Sequence, residues 1–257
     1  MSRIKELFER KKQNVLNVYF TAGFPALNNT MMILKSLQDA GADMVELGMP
    51  YSDPLADGPV IQSSSAIALA NGMTIRKLFE QLKNFRQEIQ LPVLLMGYMN
   101  PILQYGFENF CRDAAQAGVD GLILPDLPMF EFEKEFSSII RKNNLDFVFL
   151  VTPETEEMRI RQLDHYSSGF LYAVSSSSTT GKNATLGVQE NYFKKLRSMG
   201  LKNPVLIGFG IRDRSSFAEA CSLASGAIIG TAFIKILENA AEQEIPVRTK
   251  EFINSLK

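Results

Sequence analysis

The chain has 257 residues, 27 basic and 28 acidic side chains for a formal net charge of −1, and 46% hydrophobic residues. That balance leaves no basic excess to neutralise nucleic-acid phosphates, while the apolar fraction is enough for a full core. No apolar run reaches the roughly eighteen residues that span a bilayer, and the charged start MSRIKELFERKKQN lacks the apolar centre of a signal peptide, so a cytoplasmic protein with neither membrane nor nucleic-acid partners is expected.

The first predicted element is that charged N-terminal helix. Eight apolar, β-branched runs follow: VLNVYFTAG, ADMVELGMP, PVLLMGYMN, DGLILPDLP, DFVFLVTPE, SGFLYAVSS, NPVLIGFGI and SGAIIGTAF. Helical periods lie between them, as in Ile75, Leu78, Phe79, Leu82 and Phe85 after the cap Thr74, or Phe132, Phe136, Ile139 and Ile140 after Pro128. The runs are apolar on both parities, as parallel strands covered on both faces must be. Alanine-glycine helix endings, QDAGAD, AQAGVD and SLASGA, lead straight into the next strand. Eight such units fit a single-domain α/β (βα)8 TIM barrel spanning 1–257, with the N-terminal helix as an extra element capping its floor. A doubly wound open sheet is the competing architecture.

Barrel chemistry sits at the C-terminal ends of the strands and in the loops after them. Alternation in the second strand places Met44, Glu46 and Gly48 on one face and Val45, Leu47 and Met49 on the other, so Glu46 is expected to point into the barrel mouth. A carboxylate there is costly to desolvate unless it is paired with a base or used in catalysis. The loop PYSDPLADGP carries two turn-forming aspartates, Asp53 and Asp57, between which the residues alone do not choose. His165, the only histidine, falls at a helix C-terminus and needs no catalytic role. Two cysteines and one histidine make a poor zinc set, no strand carries an inward lysine for a Schiff base, and no G-x-G-x-x-G follows the first strand. The long polar stretch SSSSTTGKNATLG, 175 to 187, reads as a connection or a lid. Glycines ending the last two strands, in IGFGIRD and IIGTAF, let backbone N–H groups approach a phosphate. Together these features point to metal-free acid–base chemistry on a phosphorylated small molecule.

The stretch ELGMPYSDPLADGPVIQ, 46 to 62, resembles the signature of the tryptophan synthase alpha chain family. The likeness extends through YFTAGFP, GVDGLILPDLP, GFLYAVSSSSTTG, IGFGI and IIGTAF, over nearly the whole chain. It implies a lyase that splits indole-3-glycerol phosphate into indole and D-glyceraldehyde 3-phosphate by a retro-aldol reaction. By the same resemblance Glu46 is the general acid–base and Asp57 holds the indole N–H. Tyr19, Tyr172, Phe209 and Ile228 would line the indole pocket, and Gly181, Gly210, Gly230 and Thr231 would contact phosphate. Asp53, Pro54, Asn100, Asp126 and Pro128 would face the partner, a tryptophan synthase beta chain in an alpha2-beta2 heterotetramer. Pyridoxal phosphate belongs to that partner, so no cofactor is expected in this chain. The serine run departs from relatives that carry an arginine and a glycine there, which touches the lid and not the reaction. Two other readings are a different phosphate-binding barrel enzyme and a catalytically silent barrel that activates a partner; epimerases of the first kind need metal-binding histidines, and a silent barrel has no need of the Glu46 and Asp57 pair.

Overall fold

The computed structural model describes residues 2–174, 190–208 and 210–257. Among them, no helix is long and apolar enough to cross a membrane. Nine parallel strands form one sheet: β1 (Val15–Thr21), β2 (Met44–Gly48), β3 (Val93–Met96), β4 (Gly121–Ile123), β5 (Asp146–Val148), β6 (Leu150–Val151), β7 (Leu171–Val174), β8 (Val205–Gly208) and β9 (Gly226–Ile229). Their order is β5-β4-β3-β2-β1-β9-β8-β7-β6. The two edge strands are separated by Phe149 alone, so the sheet closes on itself and the open doubly wound alternative falls. The expected eight staves are present, the fifth in two pieces.

The break has a local cause. Ser168 Oγ and Ser167 Oγ accept from the backbone N–H groups of Phe147 (3.0 Å) and Phe149 (3.2 Å), taking two ladder positions with side chains. Backbone bonds complete the closure, from Ser168 N to Phe147 O at 2.8 Å and from Tyr172 N to Phe149 O at 3.0 Å.

Helices follow the predicted pattern with physical adjustments. Thr74 caps Ile75–Gln81 by accepting from Lys77 N at 3.1 Å, but the helix stops before Phe85, which enters a short 3-10 turn after Asn84 at φ 66°. The segment after Pro128 is helical to Lys142, with a π turn over Phe132–Phe136. Gly41 and Gly118 end their helices in the left-handed region, as the alanine-glycine endings imply. In SLASGA the glycine serves differently: Gly226 is the first residue of β9, where an added Cβ would lie 2.1 Å from Val15 O, so only glycine lets β1 come this close.

The N-terminal helix, α1 (Arg3–Arg10), does cover the floor. Ile4 and Leu7 are buried, Ile4 Cγ2 packs on Gly169 just before β7, and the Phe8 ring lies 6.4 Å from that of Phe170. Arg3 Nη1 meets Asp120 at 3.0 Å and Lys11 Nζ meets Asp43 at 2.6 Å, both acids standing just before strands. The opposite end of the barrel is left for the loops.

Candidate active site

Glu46 is in β2 and fully buried. Register sets it beside Tyr19 of β1, and its Oε1 accepts from Asn17 Nδ2 at 2.6 Å. Burial pushes the Glu46 carboxyl up to about 8, against the opposing pull of the Asn17 hydrogen bond. The fold therefore favours the neutral, protonated form of Glu46.

Of the two loop aspartates, Asp57 is turned inward, only 7% exposed, whereas Asp53 is exposed and bonded by Ser52 Oγ at 2.5 Å. Tyr98, from the loop after β3, holds Asp57 in place: its side chain hydrogen-bonds the carboxylate while its hydroxyl accepts from Ala56 N at 3.0 Å. Burial raises the Asp57 carboxyl to about 6, with Tyr98 pulling it back down. Desolvation of unequal severity thus favours protonation more strongly at Glu46 than at Asp57 in the same mouth. Tyr19 and Tyr172 both lie within electrostatic reach of the two acids, which help to raise their phenols well above the ordinary value after burial itself.

Two strand-end glycines make room for these rings. An added Cβ at Gly48 would lie 2.2 Å from Tyr19 Oη, and one at Gly208 would lie 2.3 Å from Tyr172 Oη and 2.4 Å from its Cε1. The Tyr172 ring would have to leave its position. Gly208→Ala is accordingly expected to lower kcat/KM by about 10–100-fold through displacement of that ring, which steady-state kinetics on the variant would read; a change under about twofold would separate Tyr172 from the site.

Ile228 is buried opposite Asn17 in the β1–β9 register. Beyond it, Gly230 caps the helix Thr231–Leu237 with no side-chain cap bond, and Thr231 is exposed at its first turn. The preceding helix, Arg214–Leu223, is closed instead by Asp213, which accepts from Ser216 N in a capping box. Gly210 is exposed at φ 76°, just beyond the end of β8. The first-turn amides of the Thr231–Leu237 helix are therefore left uncapped by a side chain. Gly181, Phe209 and the stretch read as a lid, 175 to 187, lie outside the described residues.

On the rim, Asn100 is exposed and donates to Tyr51 Oη at 3.0 Å, Asp126 is exposed and accepts from Met99 N at 3.0 Å, and Pro128 is exposed. Pro54 is buried, and its neighbour Leu55 takes the outer position at 90% exposure. His165 sits in the last turn of the helix Glu157–Tyr166, as its sequence context implies. Among the described residues, no group of three or more His, Cys, Asp and Glu side chains is placed to hold a metal.

Sequence reasoning missed Asn17, Tyr98, Gly48 and Gly208. Asn17 was signalled by parity, since it shares a strand face with Tyr19 and Thr21 in an otherwise apolar run. Tyr98 and the glycines act across the fold and carry no local signal.

A sequence profile of the family described as Tryptophan synthase alpha chain matches residues 5–256. The Tryptophan synthase alpha chain of Flavobacterium psychrophilum is 51% identical over 238 residues, 92% of this chain and 94% of that one. Among solved structures, the Tryptophan synthase alpha chain from Legionella pneumophila subsp. pneumophila matches with a TM-score of 0.89 at 33% identity, over 100% of this chain and 96% of that one. A chain of the tryptophan synthase complex from Pyrococcus furiosus matches at 0.86 and 34% identity, over 96% and 98% respectively.

Proposed function

The chain belongs to the tryptophan synthase alpha chain family, and on that premise we propose that it cleaves indole-3-glycerol phosphate to indole and D-glyceraldehyde 3-phosphate as a single barrel domain without a cofactor of its own, in the cytoplasm. The observation that carries this reading is the placing of a fully buried Glu46 on β2, beside Tyr19, in one mouth with a buried Asp57 from the loop after it, desolvation raising the glutamate further than the aspartate. Glu46 gives its proton to the ring carbon bearing the side chain. Asp57, ionised, accepts the indole N–H and balances the positive charge that develops on the ring. Glu46, now a carboxylate, takes the proton of the glycerol hydroxyl as the carbon–carbon bond breaks and the carbonyl forms. The ring carbon leaves as protonated indole carbon, and the acid is restored.

Tyr19, Tyr172, Ile228 and Phe209 are proposed to enclose the indole, and Gly210, Gly230 and Thr231, with Gly181, to hold the phosphate. A dianion at the open helix end gains about 0.3–1 kcal/mol from the dipole, more when partly buried. Amides can thus hold it without an arginine cluster. The partner is proposed to be a beta chain carrying pyridoxal phosphate, docked on the mouth around Asp53, Pro54, Asn100, Asp126 and Pro128. Exposed Leu55 and Phe130, 90% and 66% accessible, add apolar area to that rim.

Indole release from indole-3-glycerol phosphate by the purified chain tests the activity directly. Turnover by the isolated chain is expected to be poor and to rise when the beta chain is added. No indole under either condition would refute the activity, and equal rates under both would refute the coupling.

A further inference from the structure

Asn17 is fully buried in β1, and the only hydrogen bond of its side chain among the described residues is the 2.6 Å donation from Nδ2 to Glu46 Oε1. The remaining atoms of the contact are out of balance. Asn17 Oδ1 and Glu46 Oε2 are both buried acceptors with no partner. Leaving one such atom unpaired is costly, and leaving one on each partner of the same hydrogen bond is more so. One proton on Oε2 removes both deficits, because Oε2–H can donate to Oδ1 while Nδ2–H still donates to Oε1. A primary amide is the side chain that offers this donor and acceptor as neighbours.

Among the described residues, the titratable groups within electrostatic reach of Glu46 are Tyr19 from β1 and Tyr172 from β7, themselves within reach of Asp57, and none is cationic. The Asn17 amide is the group seen to hydrogen-bond the Glu46 carboxyl. We infer that Asn17 is a positioning residue that docks the proton of Glu46, so that the resting site holds a neutral acid closed into a cyclic pair with the amide. This rests on the role proposed above for Glu46. In the reaction Oε2–H passes to the indole ring carbon, and the carboxylate left behind keeps the Nδ2–H donation to Oε1. The glycerol hydroxyl then returns a proton to Oε2 as the carbonyl forms, and the pair closes again. One proton leaves and one arrives, with no further reactant.

Infrared difference spectra of the purified full chain at about pH 6, below the Glu46 value of about 8, test the pairing apart from activity. Wild type should show a protonated carboxyl band that Glu46→Gln removes. In Asn17→Leu that band should move to higher frequency, as a carboxyl C=O losing its hydrogen bonds does. The same variant should lose at least about tenfold in kcat with KM within about twofold. Asn17→Ser, whose hydroxyl both donates and accepts, should recover part of kcat; if Asn17→Leu does not fold, it serves for the spectra as well, with a smaller shift of the band. A band that is missing from wild type, or that stays in place in the variants, overturns the inference, as does an unchanged kcat in Asn17→Leu. A wild type that shows the band, with the shift present in Asn17→Leu, but releases no indole would sink the proposed activity and leave the pairing standing.

Discussion

Glu46→Gln is expected to lower indole release by about 10²–10⁴-fold, the usual contribution of a positioned proton-transfer group, while making the folded chain more stable. Gln is isosteric and keeps an acceptor for Asn17 Nδ2, so substrate binding should hold and the loss should fall on kcat. The stability gain follows from the sign of the pKa change. Burial raises the Glu46 carboxyl from the usual carboxylate range to about 8, so the fold favours the protonated form. Its stabilising contribution is complete below the unfolded value and is lost as pH rises through about 8. Ionising a fully buried carboxyl with this rise costs on the order of 3–5 kcal/mol. Glutamine never ionises. Denaturant unfolding of the two proteins should therefore give similar stabilities near pH 4 and a widening advantage for Glu46→Gln up to about pH 8. Parallel pH curves would mean that Glu46 is not desolvated, whatever its rate effect.

Asp120→Ala should cost about 3–5 kcal/mol of stability, the usual result of removing one partner from a buried charge pair. Asp120 stands just before β4, its side chain 3% exposed, and accepts from Arg86 Nη2, from Arg3 Nη1 at 3.0 Å and from Val93 N at 2.8 Å. Arg86 is itself mostly buried; desolvation lowers its guanidinium to about 10 while Asp120 supports it. Alanine would leave that cation and the Val93 amide facing each other with no acceptor between them. At about 2–4 °C per kcal/mol for a chain of this size, the melting temperature should fall by on the order of 10 °C. Arg3→Ala is the contrast: its side chain is 41% exposed, so the loss should be about 1 kcal/mol or less. Because both lie at the floor, kcat per folded molecule should be unchanged in either variant. A normal melting temperature for Asp120→Ala would show that the floor is held by the packing of Ile4, Leu7 and Phe8 alone.

The staves were legible because parallel barrel strands are apolar on both parities, and β1 to β4 and β7 to β9 fall inside the predicted runs. The split at Phe149 was not, since the FVFLV core of that run, 147 to 151, is uniformly apolar and the break is made by Ser167 and Ser168 reaching over from before β7. Glu46 was legible from alternation alone. The choice between Asp53 and Asp57 was not, because both residues form turns equally well and their difference is burial under Tyr98, far away in sequence. The glycines ending the last two strands were read as places for a phosphate to meet backbone; at Gly208 the close approach is instead by the Tyr172 ring, and Gly48, given no such reading, makes room for Tyr19 in the same way. Such space-making is decided by which strand lies next door, a tertiary fact that a residue and its sequence neighbours do not contain.

The central claim is that a buried, neutral Glu46 delivers the proton, and the pH dependence of kcat/KM for indole release tests it most directly. Asp57 must be ionised, so the rate should rise through about pH 6, where the substrate phosphate also titrates. Glu46 must be protonated, so the rate should fall through about pH 8. That upper limb is diagnostic, and a rate that stays level from pH 7 to well above the Glu46 value of about 8 would contradict the account.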